Sequence, residues 1–186
     1  AAALLQHGQV LLRQGEYSEA LTQMQAAEAL ARSANDRSLQ ADSLHGQAMA
    51  QVFMGEFDAA QNSFEAALAE AVATGNRRLE CTLLNRLSWV PTNRNDYRLA
   101  VHYIQRSLAL SREIGDRLAE ANALTNLGNS HIQLSDYSLG EAFSQDALAL
   151  YRELGDPGGE CAVLDNLGNS AWGSGDFVAA IRYKQE

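Results

Sequence analysis

Asn126-Leu127-Gly128-Asn129-Ser130 recurs unchanged as Asn166-Leu167-Gly168-Asn169-Ser170, 40 residues further along the chain. The same step relates Gly15-Glu16-Tyr17, Gly55-Glu56-Phe57, Asn95-Asp96-Tyr97, Ser135-Asp136-Tyr137 and Gly175-Asp176-Phe177. Five copies at an unbroken period of this length mean a stack of supersecondary units. Each unit is too small to bury its own apolar face and needs a neighbour to cover it. The repeats run 1–40, 41–80, 81–120, 121–160 and an incomplete 161–186, forming one array.

Within the repeat, position 4 is always Leu (Leu4, Leu44, Leu84, Leu124, Leu164) and position 8 is small (Gly8, Ala48, Ser88, Gly128, Gly168). Position 17 is aromatic (Tyr17, Phe57, Tyr97, Tyr137, Phe177) and position 20 is small (Ala20, Ala60, Ala100, Gly140, Ala180). Position 27 is small wherever it is present: Ala27, Ala67, Ser107, Ala147. These spacings predict two helices per repeat, A over positions 1 to 14 and B over positions 18 to 34. At 1.5 Å per residue helix B is roughly 25 Å long. Gly15, Gly55 and Gly175 suit the A–B turn, and Gly75, Gly115 and Gly155 the end of helix B. Asp36, Asp116 and Asp156 follow that end, placed to cap the next helix A, with Pro157 as a first-turn proline. The small positions let helices approach closely, and the aromatic fills the gap between pairs. The fold class is all-α, antiparallel helix pairs in an α-solenoid.

Composition bounds the function classes. A formal net charge of −9 argues against nucleic-acid binding by this region, which needs a basic face. No apolar run approaches the length of a membrane span, and the start, Ala1-Ala2-Ala3-Leu4-Leu5, lacks the basic region of a signal peptide. The missing initiator Met and the incomplete last repeat point to a piece of a longer protein. Cys81 and Cys161 share a repeat position two repeats apart, beyond bridging distance in a stack, so free and partly buried thiols in a reducing, cytoplasmic setting are expected. No phosphate-binding glycine loop, metal-binding motif or nucleophile–base arrangement is present. His7, His45, His102 and His131 fall at four different repeat positions. The expectation is a non-enzyme without metal or cofactor.

The small, aromatic, small, small pattern at positions 8, 17, 20 and 27 resembles the tetratricopeptide repeat. The run Ala123-Leu124-Thr125-Asn126-Leu127-Gly128-Asn129, with Ala147-Leu148-Ala149-Leu150 and Glu153-Leu154-Gly155-Asp156, is similar to its 40-residue class. That class occurs in Leu-Gly-Asn-rich scaffold proteins and in bacterial signal-transduction ATPases and transcriptional activators. The resemblance implies a right-handed superhelix whose A helices line a concave groove.

On helix A, positions 4, 7, 8 and 11 share one side and positions 2, 5, 6, 9 and 13 the other. The first set carries the leucines and small residues, so the second faces the groove. Repeat 1 then offers Leu5, Gln6, Gln9 and Arg13; repeat 2 offers Asp42, His45, Met49 and Phe53. Repeat 3 offers Asn85, Arg86, Trp89 and Asn93; repeat 4 offers Asn122, Asn126, Asn129 and Gln133. Repeat 5 offers Asp165, Asn166, Asn169 and, at the edge, Trp172. The surface is rich in amides that both donate and accept, with aromatic anchors. The resemblance implies that Asn126, Asn129, Asn166 and Asn169 clamp a ligand backbone or carboxylate. Alternatively, Asn126 and Asn166 bond across adjacent A helices, and Trp89 belongs partly to the core.

Repeat 3 is the irregular one. It carries six arginines against four acids, while repeats 2 and 4 are net acidic. Of those arginines only Arg86 points into the groove, next to Trp89 and across from Asn126. It either receives an anion or carboxylate of the ligand bidentately or forms an ion pair with Asp42 or another groove acid. Pro91, at position 11 of helix A, removes a donor and clashes with the carbonyl four residues back, so the helix is expected to break near Trp89 or Val90.

The leading functional expectation is a non-catalytic module that holds a protein or peptide segment in the groove, as scaffold or sensor arm of a larger regulator. Small-molecule inducer sensing in the same groove is the alternative. A structural spacer, self-associating end to end through the repeat faces at Ala1 and Glu186, is a third.

Overall fold

The structure is a computed structural model and describes residues 1–185; the expected end face at Glu186 lies outside the described residues. The described chain is a succession of α-helices in two compact units, Ala1–Val90 and a second beginning at Pro91. The first unit holds α1 (Ala2–Gln14), α2 (Tyr17–Ser33), α3 (Arg37–Phe53), α4 (Phe57–Ala73) and α5 (Arg77–Leu87). A short α6 (Trp89–Asn93) crosses the division. The second unit continues with α7 (Tyr97–Ile114), α8 (Arg117–Gln133), α9 (Tyr137–Leu154), α10 (Pro157–Ser174) and α11 (Phe177–Gln185). Odd and even helices up to α5 are A and B helices respectively; after α6, α7, α9 and α11 are B helices, and α8 and α10 are A helices.

Helix A starts at position 37 of the preceding repeat, four residues before the wheel reading placed it, because the cap decides the start. The side chain of Asp36 accepts from Leu39 N–H at 3.0 Å, that of Asp116 from Ala119 at 3.1 Å and that of Asp156 from Gly159 at 3.1 Å. Asn76 does the same for Leu79 where the Asp is missing. The turns after A and B helices need a left-handed residue. Glycine supplies it at six of them, with Gly15 at φ 83° as one case, while Asn35, Asn95 and Ser135 adopt it at φ 53°, 59° and 62° without being glycine.

The small positions work as the sequence suggests. A Cβ on Gly8 would stand 2.8 Å from Met24 Cγ, and one on Gly128 3.1 Å from the Gly140 carbonyl oxygen. At these positions the backbone of helix A lies directly against the backbone and the position-24 side chain of its own helix B. Position 24 supplies the buried filler, Met24, Phe64 and Ile104. In the first unit Met24 also presses on Gly46, wedging between α1 and α3. In the second, Leu124, Leu127, Leu164 and Leu167 form one core with Ile104 and Tyr151. The position-17 aromatics reach the following helix A: Tyr17 stacks on Phe53 with centroids 5.0 Å apart, and Tyr137 lies over Gly173.

Two expectations are corrected. Leu5 is not a groove residue; it is buried with Met24 and Ala27, its neighbours Leu4 and Leu12 completing the cluster. Helix α5 ends at Leu87 with a turn at Ser88, one residue before the expected break. Pro91 has no N–H for the Leu87 carbonyl, and its ring crowds that same group, so the distortion falls three to four residues upstream of the proline. Ser88 Oγ donates to the Asn85 carbonyl at 2.7 Å at this turn.

Candidate functional site

The outward face of the A helices carries a different set of groups in each unit. In the first unit, α3 and the α5–α6 break bring together Asp42, His45, Met49, Arg86 and Trp89, all half-buried. The Arg86 guanidinium lies over the Trp89 ring, its Cζ 4.1 Å from the centroid. It forms no ion pair with any of the described residues, Asp42 included. By contrast Arg112 and Arg117 of repeat 3 are both paired with Glu120, at 2.8 and 3.2 Å. Burial lowers the Arg86 pKa from its ordinary value and raises that of Asp42, with Asp36 adding to the latter. His45 is pushed down to about 4 by burial first and the Arg86 charge second. Its Nε2 is buried without a hydrogen-bond partner, and its ring tilts against Phe64 at 6.2 Å. The imidazole is therefore neutral near pH 7, and the guanidinium is the sole full positive charge among these five residues.

The remaining first-unit candidates sit elsewhere on the helices. Phe53 is exposed at the end of α3 and stacks on Tyr17. Asn85 is half-buried, and Asn93 is exposed at the last position of α6.

In the second unit the face is built by α8 and α10. Asn126 and Asn129 are half-buried, and Asn122 and Gln133 are exposed. Asn166 Nδ2 donates across the A helices to the Thr125 carbonyl at 3.3 Å, the interhelix role held open above. Asn169 Nδ2 donates to Asp165 at 3.3 Å and its Oδ1 accepts from Lys184 at 3.2 Å, while Lys184 also pairs with Asp165. Asn122 Oδ1 accepts from the Tyr151 hydroxyl at 2.9 Å. Trp172 is exposed and meets Phe177 edge-on at 4.9 Å.

Two participants escaped the sequence reading. Lys184 occupies position 24, elsewhere a buried filler, and Tyr151 belongs to a B helix, whose residues were read as packing. The signal for Tyr151 was present in Gly158-Gly159, an improbable pair for the first turn of a helix. Chemically, both faces offer hydrogen-bond donors, one full cation and aromatic surface.

A sequence profile described as tetratricopeptide repeat matches residues 1–71 and 119–186. The stretch it leaves out holds the Pro91 break. Among curated protein sequences none matches the chain. Among solved structures, BtubC (BKLC) from P. vanneervenii is similar at 20% identity and a TM-score of 0.84, over 96% of this chain and 74% of that one. A Rap protein complexed with Competence and Sporulation Factor is similar at 17% identity and 0.82, over 95% of this chain and 50% of its own. A signal-transduction ATPase with a tetratricopeptide repeat sensor, from Pyrococcus horikoshii, is similar at 13% and 0.85, over 97% and 28%. The chain thus spans half or less of the last two. At these identities the likeness is one of fold.

Proposed function

The chain belongs to the tetratricopeptide repeat family, and on that premise we propose that it is the non-catalytic recognition region of a larger regulatory protein. It holds a protein or peptide segment against the outward face of its A helices. The observation that carries this reading is Arg86: a half-buried guanidinium, spread on Trp89 and without a carboxylate partner among the described residues. A partly desolvated cation left unpaired gains strongly from an incoming carboxylate, which it grips through two parallel N–H···O bonds. Trp89 and Met49 supply apolar surface beside it, and tryptophan is a favoured anchor for binding energy. The neutral His45, with its buried Nε2 unbonded, has a hydrogen bond left to give or take.

Similar folds serve a sensor segment in the Pyrococcus horikoshii ATPase and receive Competence and Sporulation Factor in the Rap complex, which supports the same class of role here. The segment taken by Arg86 carries a free carboxylate, from a side chain or a C-terminus.

A Trp172→Phe background leaves Trp89 as the reporter, because the chain has two tryptophans. Dodecapeptides with free C-termini are expected to shift its emission, and the same peptides amidated and free of acidic side chains are not. Arg86→Ala should weaken the response about tenfold or more, the worth of a charge-assisted pair of bonds. Equal binding by Arg86→Ala and its parent would remove the anion role.

A further inference from the structure

A second recognition position lies in the other unit, and a residue from behind the face sets its polarity. Position 31 of helix B is Ala31, Ala71 and Ser111 in the first three repeats, all buried. In the fourth it is Tyr151, also buried. The larger ring has room because α10 begins Pro157-Gly158-Gly159. A Cβ at Gly159 would overlap the ring, 2.6 Å from Tyr151 Cγ. Glycine inside a helix is unfavourable, so the cleared space is a feature of the site. Threaded between α8 and α10, the phenol places its hydroxyl on the far side, where it donates to Asn122 Oδ1 at 2.9 Å. Thr125 Oγ1 approaches the same hydroxyl at 3.5 Å while donating to the Ala121 carbonyl at 2.8 Å. The Thr125 proton goes to Ala121, and of the two oxygens near the phenol the closer one, Asn122 Oδ1 at 2.9 Å against 3.5 Å, takes the Tyr151 proton.

The consequence concerns the other end of the amide. An exposed Asn ordinarily turns over freely and offers oxygen or nitrogen as needed. With its oxygen engaged from behind, Asn122 keeps its NH2 outward, and that NH2 makes no bond to any of the described residues. We propose that Tyr151 is a positioning residue that makes Asn122 a hydrogen-bond donor only, so that the face of α8 selects an acceptor oxygen, a backbone carbonyl or carboxylate, of a bound peptide segment. The inference rests on the reading that the A-helix face binds a segment, and it adds a polarity rule for one position.

The test is a displayed library of random dodecapeptides, selected on the chain and resynthesised, with affinities measured by titration calorimetry. Asn122→Ala and Asn122→Asp separate the alternatives. Aspartate can still accept from Tyr151 and so keeps the internal bond, but it turns an acceptor outward in place of a donor. Both variants are expected to weaken the selected peptides about tenfold, and Tyr151→Phe, which keeps the ring, about threefold to tenfold. Selection repeated on Asn122→Asp should enrich Lys- and Arg-bearing peptides. Circular dichroism on each variant checks that the helices persist. Retained affinity in Asn122→Asp would overturn the donor role, because a purely internal tether survives that change. Unchanged affinity in Tyr151→Phe, with loss in Asn122→Ala, would overturn the positioning role. Peptides that bind and ignore all three variants refute the inference and leave the binding face standing. A failure to select any peptide brings down both.

Discussion

At the scale of single residues, positions that depart from the repeat's rule carry measurable consequences. Ser135 holds the left-handed conformation that glycine takes at Gly15 and Gly55. For an L-residue that conformation costs about 1 kcal/mol, partly offset by glycine's larger entropy loss on folding. Ser135→Gly should therefore stabilise by about 0.5–1 kcal/mol, visible as a shift in the urea midpoint at constant slope. His45 makes stability depend on pH with a definite sign. Its folded pKa, about 4, lies below the ordinary value of 6.5, so between those pH values the unfolded chain binds more protons. The contribution is complete above pH 6.5 and is lost as pH falls towards 4, by up to about 3 kcal/mol. Urea unfolding at pH 7 and at pH 4.5 measures it, and His45→Phe should flatten that part of the profile.

Helices are the scale at which Gly159 and Pro91 act. A methyl group at Gly159 has nowhere to go while Tyr151 fills the space, so Gly159→Ala should destabilise by about 2 kcal/mol, as overpacking does. Adding Tyr151→Ala should recover part of that loss, and the non-additivity in a double-mutant cycle identifies the two as one packing unit. Pro91 ends α5 by denying the Leu87 carbonyl its donor. Pro91→Ala restores that N–H. A helix running through Ser88 should follow, with a gain of about 1 kcal/mol and slowed exchange of the new amide. An amide at residue 91 that exchanges as fast as the turn at Arg94 would show that the break has another cause.

For the whole molecule, charge decides how a ligand arrives. The net −9 repels an acidic segment at distances beyond Arg86's own reach. A segment whose carboxylate is flanked by lysines is drawn in by the field and seated by the guanidinium. Its association rate should fall between about 10 and 150 mM salt, as the Debye length shrinks from about 30 to 8 Å. That of a uniformly acidic segment should rise over the same range, and stopped-flow measurement on Trp89 separates the two. Two identical signs of salt dependence would mean that the global field does not steer binding.

The chain's periodicity by itself determined the helix pairs and most of the inward face. Leu124, Leu127, Gly128, Leu164 and Leu167 announce their burial by spacing alone, because a helix turns local sequence into a face. The outward face was legible as a set of candidates, but not as a division of labour. Which amide is spent inside the fold depends on groups brought from far along the chain: Tyr151 reaches Asn122 across 29 positions, Asn166 reaches Thr125 across 41, and Lys184 returns to Asn169. Leu5 joined the core for the same reason, since Met24 lies against it. Helical spacing reports direction from the local axis only; the partner that meets a side chain there is decided by the packing of other helices.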